Sequence, residues 1–283
     1  MNALYWSIRR ELWENRSLYL APLIVTAVVL FASMITTFGL PRKVRSLPED
    51  PARRHVTLTM PYSMAPAPIM FASLVVGFFY AVDALYGERR DRSILFWKSM
   101  PVSNRMTVLS KASIPLVVLP MIALTLSLVT QIILIVQSIV VLAGSGIDPG
   151  VLLREIRYPQ EPIVMAYGLA VHALWFAPVY GWLLLLSAWA RRAPFLWAVM
   201  PPLAFVAFEK IVFGSTTFLD FLQYRGRGAM ERAFSGHQAG IIDQFSQLSP
   251  LRFLLTPGLW LGLLFAAACL AMAVRLRRDR EPI

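Results

Sequence analysis

Six stretches of the chain stay apolar for long enough, and carry charge rarely enough, to cross a bilayer as helices. They are residues 18–40, 65–86, 112–142, 163–190, 193–213 and 253–274. A hydrocarbon core about 30 Å thick is spanned by about 20 helical residues at a rise of about 1.5 Å each. The first stretch has no charge, and the second meets Asp83 only near its end. The third is too long for one upright helix, and Pro115 and Pro120 are placed to mark its entry or to kink it. The fifth is shortened by Glu209 and Lys210. This pattern predicts an all-α integral membrane protein with six transmembrane helices.

The polar segments between the runs carry their own patterns. In residues 1–17, MNALYWSIRRELWENRS, a helical wheel puts Leu4, Tyr5, Ile8 and Leu12 on one arc and Trp6 and Trp13 on another. Arg10, Glu11 and Glu14 take the remaining side. Such a helix suits the cytoplasmic interface, with tryptophan at headgroup depth; the alternative is a helical extension of the first span. Residues 214–256 hold apolar clusters around Phe218–Leu222 and Ile241–Leu248, broken by Gly226 and Gly228. These predict short outer helices between spans five and six, either dipping back toward the membrane or lying on its surface.

Composition agrees with the pattern. Of 283 residues, 57% are hydrophobic and 15% charged, against about 25% charged in a soluble domain. The lone Cys269 lies inside an apolar run, which excludes an intrachain disulfide framework and makes it a packing residue. The net charge of +11 reads as lipid-facing rather than nucleic-acid-binding. The basic residues flank apolar runs, and no basic-aromatic nucleic-acid module is present. Placing both termini in the cytoplasm puts a modest majority of the 27 basic residues on that side. The opposing bias comes from PRKVRSLPEDPARRH, which reads as a basic, proline-rich first outer loop. The location expected is therefore a multi-pass membrane protein, of bacterial inner-membrane type.

Enzymatic signals are few. There is no G-x-x-x-x-G-K-[ST] phosphate loop and no H-E-x-x-H metal spacing, so the chain is not expected to be an enzyme or to bind a cofactor or metal itself. His172 is the one histidine inside a span, and an intramembrane ionisable group is a functional candidate. Glu209, near the outer end of span five, is the second candidate for a transport path. Both have plainer readings: a hydrogen-bonded bundle histidine, and a carboxylate reaching toward headgroups.

The stretch ALYGERRDRSILFWKSMPVSNR, residues 84–105, connects spans two and three. Charge is packed into Glu88–Arg92, and Ile94, Leu95, Phe96 and Trp97 follow before Pro101. The charged and apolar residues separate along the axis rather than around it. A turn that is apolar all round fits an enclosing pocket, and aromatic residues with arginine mark interface anchors. An elbow resting Phe96 and Trp97 among headgroups fits the physics equally. Ser103 is placed to cap the helix entering span three.

With Glu88-Arg89-Arg90, then SILFWKSM, then Pro101-Val102-Ser103 and Lys111, this stretch resembles the permease subunits of ABC-2-type transporters. The likeness extends in outline over the whole chain, but only 88–111 is specific. The resemblance implies that residues 87–104 form a coupling segment seated in a separate ATPase subunit. Glu88, Arg89, Arg92, Ile94, Leu95, Phe96, Trp97 and Lys98 would make that contact, and Trp6, Arg9 and Trp13 would lean on the same partner. It further implies two ABC ATPase subunits carrying ATP and Mg, and a second permease chain forming a homodimer or related heterodimer. The expected function is that of an ATP-driven exporter's membrane subunit. The rivals are a stand-alone secondary carrier, an intramembrane enzyme, or a non-transporting ABC complex that transmits force or signals.

Overall fold

The computed structural model describes residues 3–92, 102–156, 160–235 and 245–279. Among them the chain is helical throughout, and the only extended pairing is a single bridge between Phe234 and Leu248. Six helical stretches are long and apolar enough to cross a membrane: Ser17–Thr37, Arg53–Arg90, Asn104–Gly144, Gln160–Trp189, Pro194–Phe213 and Pro257–Asp279. Each coincides with one of the six runs read from the sequence.

The elements begin with α1 (Ala3–Glu14) and α2 (Ser17–Thr37). Two further helices, α3 (Leu40–Arg45) and α4 (Pro51–Met64), occupy the segment expected as a loop. The prolines explain the difference. Pro41 and Pro51 sit in the first turn of their helices, where the missing N–H would have found no partner in any case. Helix α4 runs on through Ala65, itself helical, into α5 (Pro66–Asp83), which is followed by the short α6 (Tyr86–Arg90).

After the segment 93–101 the chain resumes at α7 (Asn104–Ser113), where Ser103 Oγ accepts from the Met106 N–H at 3.2 Å, the cap its position predicts. A π-helical turn at Ile114–Val118 leads into α8 (Leu119–Gly144). Pro115 and Pro120 fall in and just beyond this turn, where each removes one helical donor. The remaining α-helices are α9 (Gly150–Leu153), α10 (Gln160–Trp189), α11 (Pro194–Phe213), α12 (Thr217–Ala233), α13 (Pro250–Leu254) and α14 (Pro257–Asp279), with a 3-10 turn at Phe245–Gln247.

Helix α10 is the centre of the bundle and packs most extensively on α14. The two approach so closely that a Cβ on Gly181 would stand 3.1 Å from Ala266 Cα. Small residues at a crossing allow this backbone approach, a packing mode favoured where lipid supplies no hydrophobic drive between helices. The other face of α10 buries Trp175 completely against Ala229, Ala233 and Phe253. Among the described residues, the segment between spans five and six holds α12, of 17 residues, and the short α13; Ile241 and Ile242 of the second expected cluster lie outside the described residues. Helix α12 runs unbroken through Gly226 and Gly228 because Gly228 lies against the Trp175 ring, 2.9 Å from where a Cβ would stand.

Helix α11 is nearly uncovered, with Ile211 82% and Phe213 70% exposed. Apolar surface on that scale requires lipid or another protein to cover it. Cys269 is buried and unpaired, as its apolar surroundings predict.

Candidate functional site

Three cations and two carboxylates meet at the end of the bundle where the 93–101 segment departs and returns. Glu11 from α1 is wholly buried. Lys111 from α7 places Nζ 3.0 Å from each of its oxygens, and the Tyr80 hydroxyl donates to Oε2 at 2.8 Å. Arg10 donates to Oε1 at 2.6 Å. The same Lys111 Nζ lies 3.2 Å from Glu88 Oε1 in α6. Arg277, from the last turns of α14, donates to Glu88 Oε2 at 2.9 Å and also bonds the Asn104 side chain. Four elements that are remote in sequence are thereby joined through side chains at most 8% exposed in the cases of Glu11, Glu88, Lys111 and Arg277.

Each member is delivered by its element's position rather than by local pattern. Glu11 faces inward because Ile8 and Leu12 of α1 pack on the core containing Leu18 and Tyr80. Arg277 reaches the cluster because α14 continues to Asp279, past the point where its hydropathy fades. Burial raises the Glu11 carboxyl's pKa, but Lys111 and Arg10, with the hydrogen bonds from Lys111 and Tyr80, outweigh it and hold the group below its ordinary 4.5. Ionised Glu11 is thus the stable form at neutral pH.

Alongside, Arg89 is 3% exposed and its guanidinium donates to the Ala190 carbonyl just beyond the last turn of α10. A cation there satisfies a terminal carbonyl and complements the helix dipole. Ser187 Oγ in α10 accepts from both Leu85 and Tyr86 N–H groups at 2.9 Å. Both stems of the 93–101 segment are therefore fixed to the bundle, one through Glu88, Arg89, Leu85 and Tyr86, the other through Lys111 and Asn104.

Of the residues expected to meet a partner, Glu88 and Arg89 point into their own chain, whereas Arg92 is exposed and holds a left-handed conformation at φ 58. Ile94, Leu95, Phe96, Trp97 and Lys98 lie outside the described residues. On α1, the Arg9 guanidinium sits over both Trp6 and Trp13, 5.2 and 4.6 Å from the ring centroids, with both tryptophans exposed. The wheel grouped Trp6 with Trp13 but assigned Glu11 to the polar side, and the structure buries it.

The two transport-path candidates part company. His172 lines a cavity among α5, the π-helical turn and α10, with its ring 4.5 Å from that of Phe176 and no hydrogen bond to another described residue. Glu209 does not line that cavity; its carboxylate accepts from Ser215 Oγ at 2.7 Å and from the Thr217 and Phe218 N–H groups at 2.9 Å. It caps the start of α12. Among the described residues there is no grouping of histidine, cysteine, aspartate or glutamate able to hold a metal ion. Comparisons with family models, with curated proteins and with solved structures find no match for this chain.

Proposed function

We propose that this chain is the membrane-spanning subunit of an ATP-driven ABC-2-type transporter, acting as an exporter beside separate ATPase subunits. The observation that carries the reading is the buried ion cluster under both stems of residues 93–101. A segment that merely linked two spans would need no more than solvation. This one leaves from α6 and returns to α7 through residues locked to α1 and α14, so a displacement of the segment is delivered to three parts of the bundle at once. Buried ion pairs add little net stability compared with apolar packing, but breaking one partner is costly. They therefore suit a rigid joint.

In this reading Phe96 and Trp97 enter a groove on the ATPase, and exposed Arg92 orients the docking. Glu88 and Arg89 act as the joint's inner anchors rather than as contact residues. The face of α1 that carries exposed Trp6 and Trp13, with Arg9 over both rings, rests at the cytoplasmic membrane surface, both termini lie on that side, and α11 meets lipid or a second permease chain.

The test is co-expression with the ATP-binding-cassette gene nearest its own, purification through a tag on this chain, and assay of co-eluting ATPase activity. The reading predicts co-elution with the parent chain and its loss with Phe96→Ala plus Trp97→Ala. An ATPase that never co-elutes, or one that co-elutes undiminished with the double variant, refutes it.

A further inference from the structure

The turn between α10 and α11 borders an apolar groove. Trp182 and Trp189 from α10, Trp197 and Pro201 from α11, and Met272 and Leu276 from α14 line it. Its volume is about 430 Å³, within the range of small-molecule sites, and no charged side chain lines it. The groove opens on the bundle surface, where Trp189 is 39% exposed and Trp197 and Met272 each 47%. Along α10 it extends from Trp182 to Trp189, about 10 Å at the usual rise. At the end nearest the turn, the Trp189 and Trp197 rings meet edge to face with centroids 5.1 Å apart.

That end is bordered by charge of one sign. Arg191 and Arg192 follow Trp189 in the turn, and Ala193, at φ 47, leads directly into α11. Arg275 stands on α14 three residues past Met272, a spacing that makes the two neighbours on the helix surface. All three arginines are exposed, and among the described residues none of them has a hydrogen-bonded or ion-paired partner. The carboxylates at this end are engaged elsewhere: Glu88 with Arg277, Asp91 with Arg90 and Asp279 with Arg278. The end is the one that holds the ion cluster, because Arg89 donates to the Ala190 carbonyl and Arg277 to Glu88. A guanidinium stays charged, and its fork of N–H donors matches phosphate oxygens. Tryptophan is enriched at headgroup depth.

We infer that this groove holds an acyl chain of an anionic phospholipid, whose phosphate-bearing head sits on Arg191, Arg192 and Arg275. The apolar groove alone would accept the tail of any lipid. Three arginines at its end, with no carboxylate paired to them, select a negative head over a zwitterionic one, as basic pockets between membrane helices do. The inference does not rest on the ATPase reading, because the groove and its arginines would meet lipid whether or not the chain is driven by ATP.

The experiment titrates the full chain, delipidated in detergent, with phosphatidylglycerol or phosphatidylcholine of equal chains, and counts bound lipid by native mass spectrometry. The proposal expects the first phosphatidylglycerol to bind at least roughly tenfold more tightly than phosphatidylcholine, with a roughly tenfold loss in Arg192→Gln plus Arg275→Gln. Met272→Trp, which fills the groove from an exposed position and leaves the arginines intact, weakens binding by a similar factor. Arg42→Gln plus Arg45→Gln, at exposed positions of α3 beyond the far end of α2, leaves it unchanged, and chainless glycerol phosphate does not compete. Equal binding of the two lipids by the parent chain overturns the proposal without requiring any variant to fold. So does undiminished binding in a folded Arg192→Gln plus Arg275→Gln or a folded Met272→Trp, an equal loss in the α3 variant, or competition by glycerol phosphate. A chain that self-associates over the groove and shuts out both lipids overturns it as well.

Discussion

Glu11 shows how a residue's role depends on partners far away in the chain. Its contact with Lys111 crosses 100 positions, and that between Glu88 and Arg277 crosses 189. On a helical wheel of α1 alone, Glu11 is one more polar residue beside Arg10 and Glu14. Removing one charge leaves the others buried without compensation, so Glu11→Gln or Lys111→Met should cost about 3–5 kcal/mol, read as a lower thermal midpoint in detergent. Glu88→Gln and Arg277→Met should be markedly non-additive, with about 0.5–3 kcal/mol of coupling in a double-mutant cycle.

The cluster also sets a pH dependence. The Glu11 pKa is lowered in the folded chain, so its contribution is complete above the ordinary carboxylate range and disappears as pH falls through the lowered value. Thermal midpoints should therefore drop on acidification below about 4.5, and Glu11→Gln should flatten the drop. Glu14, raised chiefly by burial, works in the opposite sense and offsets part of the effect.

At the scale of elements, hydropathy located the spans well, because a run of about 20 apolar residues has one economical solution in a bilayer. It was weaker wherever a helix carried polar residues. Helices α3 and α4 were hidden by prolines that in fact begin helices, and the last turn of α14 by arginines, one of them buried. Helix α12 was hidden by Gly226 and Gly228, of which Gly228 serves a close contact with Trp175. Helix ends and crossings make the corresponding predictions. Gly181→Leu should force α10 and α14 apart and cost about 1–3 kcal/mol, seen as a lower thermal midpoint. Glu209→Ala should leave Thr217 and Phe218 without their acceptor and speed amide exchange at the start of α12, with little change elsewhere.

For the whole molecule, the bundle divides into two ends of different character. At one end, Gln131 donates to Glu161, Tyr62 donates to Ser138, and Arg54 and His55 face Glu155. At the other, ionised side chains from α1, α6, α7 and α14 are knitted together between the two stems, α6 and α7. The sequence displayed that segment's apolar residues and its flanking charges, but it could not show that Glu88, Arg89 and Lys111 turn inward, since their partners lie on other elements. The structure thus divides the string ERRDR: Glu88 and Arg89 turn inward, while Arg90, Asp91 and Arg92 are exposed.

The central claim is that the ion cluster couples this segment to the spans. It is tested most directly by comparing the ATPase rate of the assembled complex for the parent chain and for Glu88→Gln plus Lys111→Met. The account predicts that the variant still co-elutes with its ATPase, because the docking residues are intact, while this chain's effect on the hydrolysis rate falls roughly tenfold, equivalent to about 1.4 kcal/mol of lost coupling. An assembled, folded variant that modulates the ATPase as fully as the parent chain would contradict it.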